Sequence, residues 1–254
     1  MRINKYLSEA GVCSRRAADR EIMAGHVRIG ERTAQMGDQV LPGERVWFCG
    51  KLVEMEEEEI LIAFHKPRGI VCTAEKREKN NIIDYINYPK RIYPAGRLDK
   101  DSEGLILLTN QGELVNRIMR AGNYHEKEYV VTVDREVTDS FLRGMQRGVY
   151  LKGLEVTTRP CHVKKQGKHR FTIILTQGYN RQIRRMCEAF GYQVTRLVRV
   201  RIMNIRLGNL KAGTWRPLTA KEKQELYRLT RNSYSTPGKK QEERTWMRKN
   251  NTKS

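Results

Sequence analysis

Ile3, Tyr6, Leu7 and Ala10 recur at i, i+3, i+4 and i+7, so the first residues present one apolar helical face, which Gly11 ends. Ser14 stands where it can cap a second helix running toward Ala24, with Gly25 just past its end. On that helix Arg16 and Arg20 lie four apart and share a face, with Arg15 beside them. Short strand patterns follow at "HVRI" and "RVWF", separated by Gly37, Pro42 and Gly43. After residue 60 the period changes. "ILIAF" reads as a buried strand, "EYVVTVD" and "RFTIILT" alternate as half-buried strands, and "GLILLTNQGELVNRIM" reads as strand, turn and helix. Ile183, Met186, Cys187 and Phe190 form a helical stripe that Gly191 stops, with Arg181, Arg185 and Glu188 off the stripe and Arg184 on its flank. Strand character resumes through "TRLVRVRIMNIRL".

The pattern divides the chain. Residues 54–59, "EMEEEE", hold five glutamates in six positions, a run that repels itself and predicts a solvated linker. It separates a compact block at 1–53 from a larger domain at 60–231. Residues 232–254 are polar, aperiodic and basic, and predict a disordered tail.

Charge changes the picture most. The 254 residues carry 49 Lys and Arg against 29 Asp and Glu, a net charge of +20. A surplus of that size points to a polyanionic partner, with nucleic acid ahead of an anionic membrane. The densest basic field is residues 176–216, with nine Lys and Arg against one acid. No run reaches the roughly 18 apolar residues of a membrane span, and the N-terminus lacks the apolar run of a secretory signal. The five cysteines form no CxxC pair, which supports neither a zinc ribbon nor a disulfide framework. The chain therefore reads as cytoplasmic, with no partner membrane.

One stretch carries candidate chemistry: "GRLDKDSEGLILLTNQGEL", beginning at Gly96. Asp99, Asp101 and Glu103 before Gly104 resemble the start of a calcium loop, but the twelfth position, where calcium requires a bidentate glutamate, is Asn110. The other reading places one reactive carboxylate on a loop after the Pro94-Ala95-Gly96 turn. A turn aspartate satisfied by backbone N–H groups remains the plain alternative.

With "HKPRG" at 65–69, "HEKEYVVTV" at 125–133, "QGYNRQIRRM" at 177–186 and "RIMNIRLGNLKAGTWRPLT" at 201–219, this stretch resembles the bacterial pseudouridine synthases of the ribosomal small-subunit-A type. The match is closest to the large-subunit rRNA pseudouridine synthase F branch. The 1–53 block resembles an S4 RNA-binding domain. The resemblance spans roughly residues 2–225 in order. It implies an α+β fold: a small α/β S4-like domain, then a catalytic domain on a mixed, mostly antiparallel sheet with flanking helices.

It also implies an enzyme that isomerises uridine to pseudouridine in 23S rRNA near the peptidyl-transferase region, with a tyrosine tRNA anticodon as a second substrate. It implies a monomer that works without metal or other cofactor. Asp99 would be the reactive carboxylate, attacking the base, attacking C1′ or taking a sugar proton. Arg184 would be its ion-pair partner, and Tyr129 the ring that stacks on a flipped base. Taken alone, Tyr129 is more often a half-buried sheet residue, and Arg184 equally a phosphate-binding or solvated helix arginine. RNA contacts are expected from Arg97, Leu98, Lys100, Tyr179, Asn180, Arg181, Gln182 and Lys66, and on the N-terminal block from Lys5, Arg15, Arg16 and Arg20. The rival reading is a noncatalytic RNA-binding ribosome-assembly factor, with DNA binding a weaker third.

Overall fold

The structure, a computed structural model, describes residues 1–55 and 58–234. Part of the expected acidic linker and nearly all of the expected basic tail thus lie outside the described residues. The chain divides into two compact units. The first comprises Met1–Ile60 with Pro89–Ile92 and Asn110–Gly112, and the second the remaining described chain.

The first unit starts with α1 (Ile3–Glu9) and α2 (Arg15–Met23). The Ser14 hydroxyl accepts the Ala17 N–H at 3.1 Å, which satisfies a donor that the helix start would leave open. Strands β1 (Val27–Ile29), β2 (Arg32–Thr33), β3 (Val46–Phe48) and β4 (Lys51–Leu52) form an antiparallel sheet in the order β2-β1-β3-β4. Ile3 and Leu7 of α1 and Ala18 and Ile22 of α2 close over Val27, Ile29 and Val46 of the sheet. This core uses the apolar faces that the helical and alternating periods mark out.

The second unit is built on a sheet that begins with β5 (Leu61–Lys66), a strand buried along almost its whole length. Helix α3 (Ile82–Ile86), β6 (Tyr93–Ala95), β7 (Glu103–Thr109) and α4 (Gly112–Met119) follow. Next come β8 (Lys127–Val133), α5 (Asp139–Gln146) and the small hairpin of β9 (Tyr150–Leu151) and β10 (Val156–Thr157). Strands β11 (His162–Gly167) and β12 (Arg170–Leu175) lead to α6 (Gln182–Glu188). The unit ends with β13 (Val194–Ile202), β14 (Ile205–Arg206), β15 (Trp215–Pro217) and α7 (Ala220–Thr230).

The nine-stranded sheet runs β11-β12-β8-β13-β7-β5-β15, with β14 on β13 and β6 on β7. Only β13 with β7 is a parallel pair, so the sheet is mixed and mostly antiparallel, and the fold is α+β.

That parallel junction is unusually close. At Gly104 φ is +113°, and a Cβ there would lie 2.4 Å from the backbone oxygen of Arg199. Only glycine fits both the backbone angle and the space. Apolar clusters pack along the sheet. Phe141, Met145, Phe171, Ile173, Ile183 and Met186 belong to one, and Leu61, Leu105, Leu107, Leu114, Ile118 and Leu226 to another.

Two details of the α6 segment depart from the sequence pattern. Phe190 lies beyond the helix end and is 39% exposed, although its ring meets Phe141 edge-on at 5.8 Å. Arg184, on the flank of the stripe, is buried.

Candidate active site

Strand β6 ends at Ala95, and Gly96, at φ +83°, turns the chain into the loop 97–102 before β7. The backbone of this loop is fixed from several sides. Lys66 Nζ donates to the carbonyls of Pro67 and Ser102, both at 2.8 Å. Arg68 donates to the Asp101 carbonyl at 3.1 Å and to the Thr195 carbonyl at 2.8 Å. The Gly69 N–H reaches the Lys100 carbonyl at 2.7 Å, and the Ser102 N–H closes the turn on the Asp99 carbonyl at 3.1 Å. The Leu98 N–H donates to Cys72 Sγ at 3.3 Å. The "HKPRG" segment is therefore a clamp on the loop that carries Asp99, and a clamped loop presents its side chains with little entropy left to lose.

The loop forms one wall of a cavity of about 590 Å³ within the second unit. The other walls come from β8, β12, β13 and the segment entering α6. Asp99 lines this cavity with its side chain 32% exposed, and Arg181 Nη1 stands 3.9 Å from its carboxylate. Tyr129 lines the cavity from β8 while packing against the core behind it, so its packing role and its cavity role coexist.

The expected pairing of Arg184 with Asp99 is corrected. Arg184 Nη2 lies 3.2 Å from the Asp101 carboxylate, and its donors also reach the Asp101 carbonyl at 3.3 Å and the Val194 carbonyl at 3.0 Å. Arg181 adds a two-pronged contact to Asp101, both nitrogens at 3.2 Å. Burial pushes the Asp101 carboxyl up, but the Arg181 hydrogen bond and the charges of Arg184 and Arg181 outweigh it and hold the group below its ordinary value. Burial in turn lowers Arg184, against the opposing pull of Asp101. Asp101 is thus the carboxylate that gathers Arg181 and Arg184, and Asp99 is left facing the cavity with one longer contact.

The expected RNA contact of Lys66 is also corrected. Lys66 is fully buried and spends its ammonium on loop carbonyls, so no phosphate reaches it. Gln182 is 4% exposed; its amide oxygen accepts the Tyr179 N–H at 3.0 Å, and its amide nitrogen meets Met186 Sδ at 3.7 Å. It shapes the turn into α6. Leu98 is buried yet forms part of the cavity wall.

Arg97, Lys100, Tyr179, Asn180 and Arg181 are exposed around the cavity, on two loops that the fold brings together. Arg181 holds φ at +50°, a left-handed position that aims the chain into α6. Lys5, Arg15, Arg16 and Arg20 belong to the first unit. Lys5 pairs with Glu9 at 3.6 Å, and the three arginines are exposed on and beside one face of α2.

Two cations of the cavity lining were not singled out by sequence reasoning, Lys127 on β8 and Arg199 on β13. For Lys127 the signal was present in the sequence; for Arg199 only strand pairing supplies it. Lys127 stands two residues before Tyr129, and side chains two apart on a strand share a face. Arg199 is directly opposite Tyr129 in the β13–β8 register. Outside the cavity lining, Glu21, His26 and Cys49 of the first unit bring their potential ligand atoms within 4.8 Å of one another, with His26 Nδ1 2.7 Å from Glu21. These three are partly or fully exposed.

Comparison with known proteins agrees with this geometry. Residues 60–189 match the profile of the RNA pseudouridylate synthase family, and residues 1–46 match the S4 domain. The chain is 54% identical over 237 residues to the dual-specificity RNA pseudouridine synthase RluF of Escherichia coli K12, covering 92% of this chain and 81% of that one. It is 35% identical to the ribosomal large subunit pseudouridine synthase B of Bacillus subtilis, covering 90% of this chain and 96% of the other. A crystal structure of a pseudouridylate synthase superposes with a TM-score of 0.66 at 28% identity, covering 90% of this chain and 99% of that one. The clamped aspartate loop, the cavity it lines and these matches together place the chain in the RNA pseudouridine synthase family, with an S4 domain at its N-terminus.

Proposed function

We propose that this enzyme isomerises a specific uridine of 23S rRNA, near the peptidyl-transferase region, and accepts a tyrosine tRNA anticodon as a second substrate. The dual specificity in the name of the 54% identical relative supports two RNA classes. The observation that carries the catalytic assignment is the placement of Asp99, on a clamped loop facing a cavity large enough for a base, with Tyr129 on another wall.

In this reading the target nucleotide leaves its stack and its base enters the cavity, where Tyr129 supplies a stacking face. Arg97 occupies the gap or holds the displaced backbone. Lys100, Asn180 and Arg181 meet phosphates, and the block at 1–53 docks the RNA through Arg15, Arg16 and Arg20. The domain at 60–231 carries the chemistry, in a monomer working in the cytoplasm. Arg184 acts at one remove, by holding Asp101 and hence the loop.

Purified protein mixed with 23S rRNA fragments and with tyrosine tRNA is expected to yield pseudouridine, read by chemical mapping, without added metal or nucleotide. Asp99→Asn is expected to abolish conversion while RNA affinity stays within about twofold of the wild type, since the substitution keeps size and removes the reactive charge. Full activity of that variant would remove Asp99 from its role.

A further inference from the structure

Lys127 and Arg199 are two cations of the cavity wall that the reading above leaves unused. Lys127 is 4% exposed and Arg199 1%. Arg199 Nε donates to the Leu105 carbonyl at 2.7 Å, but its Nη2 is buried with no hydrogen-bond partner. Lys127 Nζ has a 3.2 Å contact with the His125 carbonyl, a long bond for a group with three donors. Burial and then repulsion from Arg199 push Lys127 down to about 8, and no carboxylate figures among the charges acting on it. Two buried positive charges side by side, one with an orphaned donor, cost the fold stability unless something negative arrives to meet them.

We propose that Lys127 and Arg199 form a cationic subsite that grips the carbonyl oxygens of the target uracil and holds the negative charge the ring takes on when its glycosidic bond breaks. The proposal rests on the pseudouridine synthase reading of this cavity and deepens it.

The chemistry requires such a charge. When the C1′–N1 bond breaks, its electron pair stays on the base, spread over N1, O2 and O4. The electron deficiency at C1′ is met at Asp99, either by a bond from the carboxylate to C1′ or by transfer of the C2′ proton to it. The base then turns and C5 bonds to C1′ as the Asp99–C1′ bond breaks or, on the other route, as the C2′ proton returns from Asp99. The C5 proton leaves and N1 takes one up, so no atom or electron is gained overall. Preorganised donors in a water-poor pocket stabilise such a developing anion far better than solvent does.

Placement separates this role from phosphate binding. The exposed cations Arg97, Lys100 and Arg181 are the ones a backbone phosphate would meet first. Lys127 and Arg199 are buried in the cavity lining beside Leu98, Leu175 and Leu197, so a group that enters the cavity is the one to meet them. Arg199 lies opposite Tyr129 and Lys127 two residues before it, so both cations border the ring on which the base would stack.

The test is single-turnover conversion of uridine, and consumption of 5-fluorouridine, at the target position of one RNA, with RNA affinity measured in parallel. Wild-type activity is the first arm, because a wild type inactive on every RNA would remove the pseudouridine synthase reading and this one with it. Lys127→Met is expected to slow uridine conversion by about 100-fold, comparable to the loss of one oxyanion donor, with affinity unchanged. On 5-fluorouridine, whose fluorine takes up part of the ring charge, the same variant is expected to lose much less.

Lys127→Arg keeps the charge and should recover most of the rate. Arg199→Lys, which keeps a charge and loses the fork, should show the same dependence on the base. The thermal midpoint of Lys127→Met should equal or exceed that of the wild type, because an uncompensated buried charge is gone. Weakened affinity at an unchanged rate would assign the pair to phosphate and overturn the proposal, and equal slowing on both bases would overturn it in favour of a structural role.

Discussion

The arginines of α2 and the buried cations of the second unit all contribute to one net charge of +20, yet the fold puts them in opposite environments. Arg15, Arg16 and Arg20 stand exposed on one short helix, where salt screens them and where they suit phosphates of any sequence. Lys66, Lys127, Arg184 and Arg199 are all less than 9% exposed and are held by carbonyls or by Asp101, with Nη2 of Arg199 left without a partner. Buried cations cannot serve a polyanion in general. They position a loop or wait for one group of fixed shape. The difference teaches that charge density identifies the class of partner, while burial identifies the work of each cation.

The sharpest way to break the contrast is to treat a buried cation as a surface one. Lys66→Met leaves the Pro67 and Ser102 carbonyls without their shared donor, a cost of about 2–4 kcal/mol by the penalty for orphaned buried acceptors. A lower denaturation midpoint and a rate of conversion reduced about 100-fold, as expected for a displaced catalytic group, should appear together, with the salt dependence of RNA binding untouched. An altered salt slope in this variant would return Lys66 to the phosphate contacts.

A pH profile tests the second buried cation. Lys127 faces Arg199 from β13 and lies beside His125, which burial and then Lys127 hold below the ordinary histidine value. With its value near 8, Lys127 loses its charge as pH rises, so conversion at subsaturating RNA should fall about tenfold per unit above that point. Lys127→Arg should remove that limb. The same shift makes the folded protein bind fewer protons than the unfolded chain between about 8 and the ordinary lysine value of 10.5. The contribution of Lys127 to stability therefore rises with pH through that window.

On the exposed side, Arg15→Ala with Arg16→Ala should weaken RNA binding and reduce the slope of log affinity against log salt by about two units, one for each phosphate contact. Conversion at saturating RNA should be unchanged, and an unchanged slope would leave these arginines a solvated face.

The smallest effect belongs to α7, where Glu222 closes a capping box with Thr219 and pairs with Arg216 at 2.7 Å. The Arg216 hydrogen bond, above all, holds the Glu222 carboxyl at about 2. Its contribution is full above the ordinary glutamate range and is lost as pH falls through about 2. Glu222→Gln should lower stability by roughly 1 kcal/mol at neutral pH, the scale of a lost cap and a partly exposed pair, and by less in acid, as followed by denaturant melts.

Much of the architecture was legible because it rests on local rules. The apolar periods of α1, α6 and β5, the Ser14 cap and the strand-turn-helix after Gly104 all follow from neighbours in sequence. Helix α7 was legible in principle from Thr219 and Glu222, a cap signal three residues apart that the reading above did not use. The pairing of Arg184 was not legible. Asp99 and Asp101 are two residues apart, and only the path of the loop decides which of them meets α6. Lys127 and Arg199 become neighbours only through strand pairing across more than seventy residues.

By itself the sequence determined the family, the reactive aspartate proposed at Asp99, the polyanionic partner and the order of most elements, because motif identity, net charge and hydrophobic period are properties of the chain before it folds. Tertiary structure decided which cations are buried, which carboxylate each arginine holds and what lines the cavity. Those depend on desolvation and on contacts between strands and loops far apart in sequence, and neither exists until the sheet has closed around them.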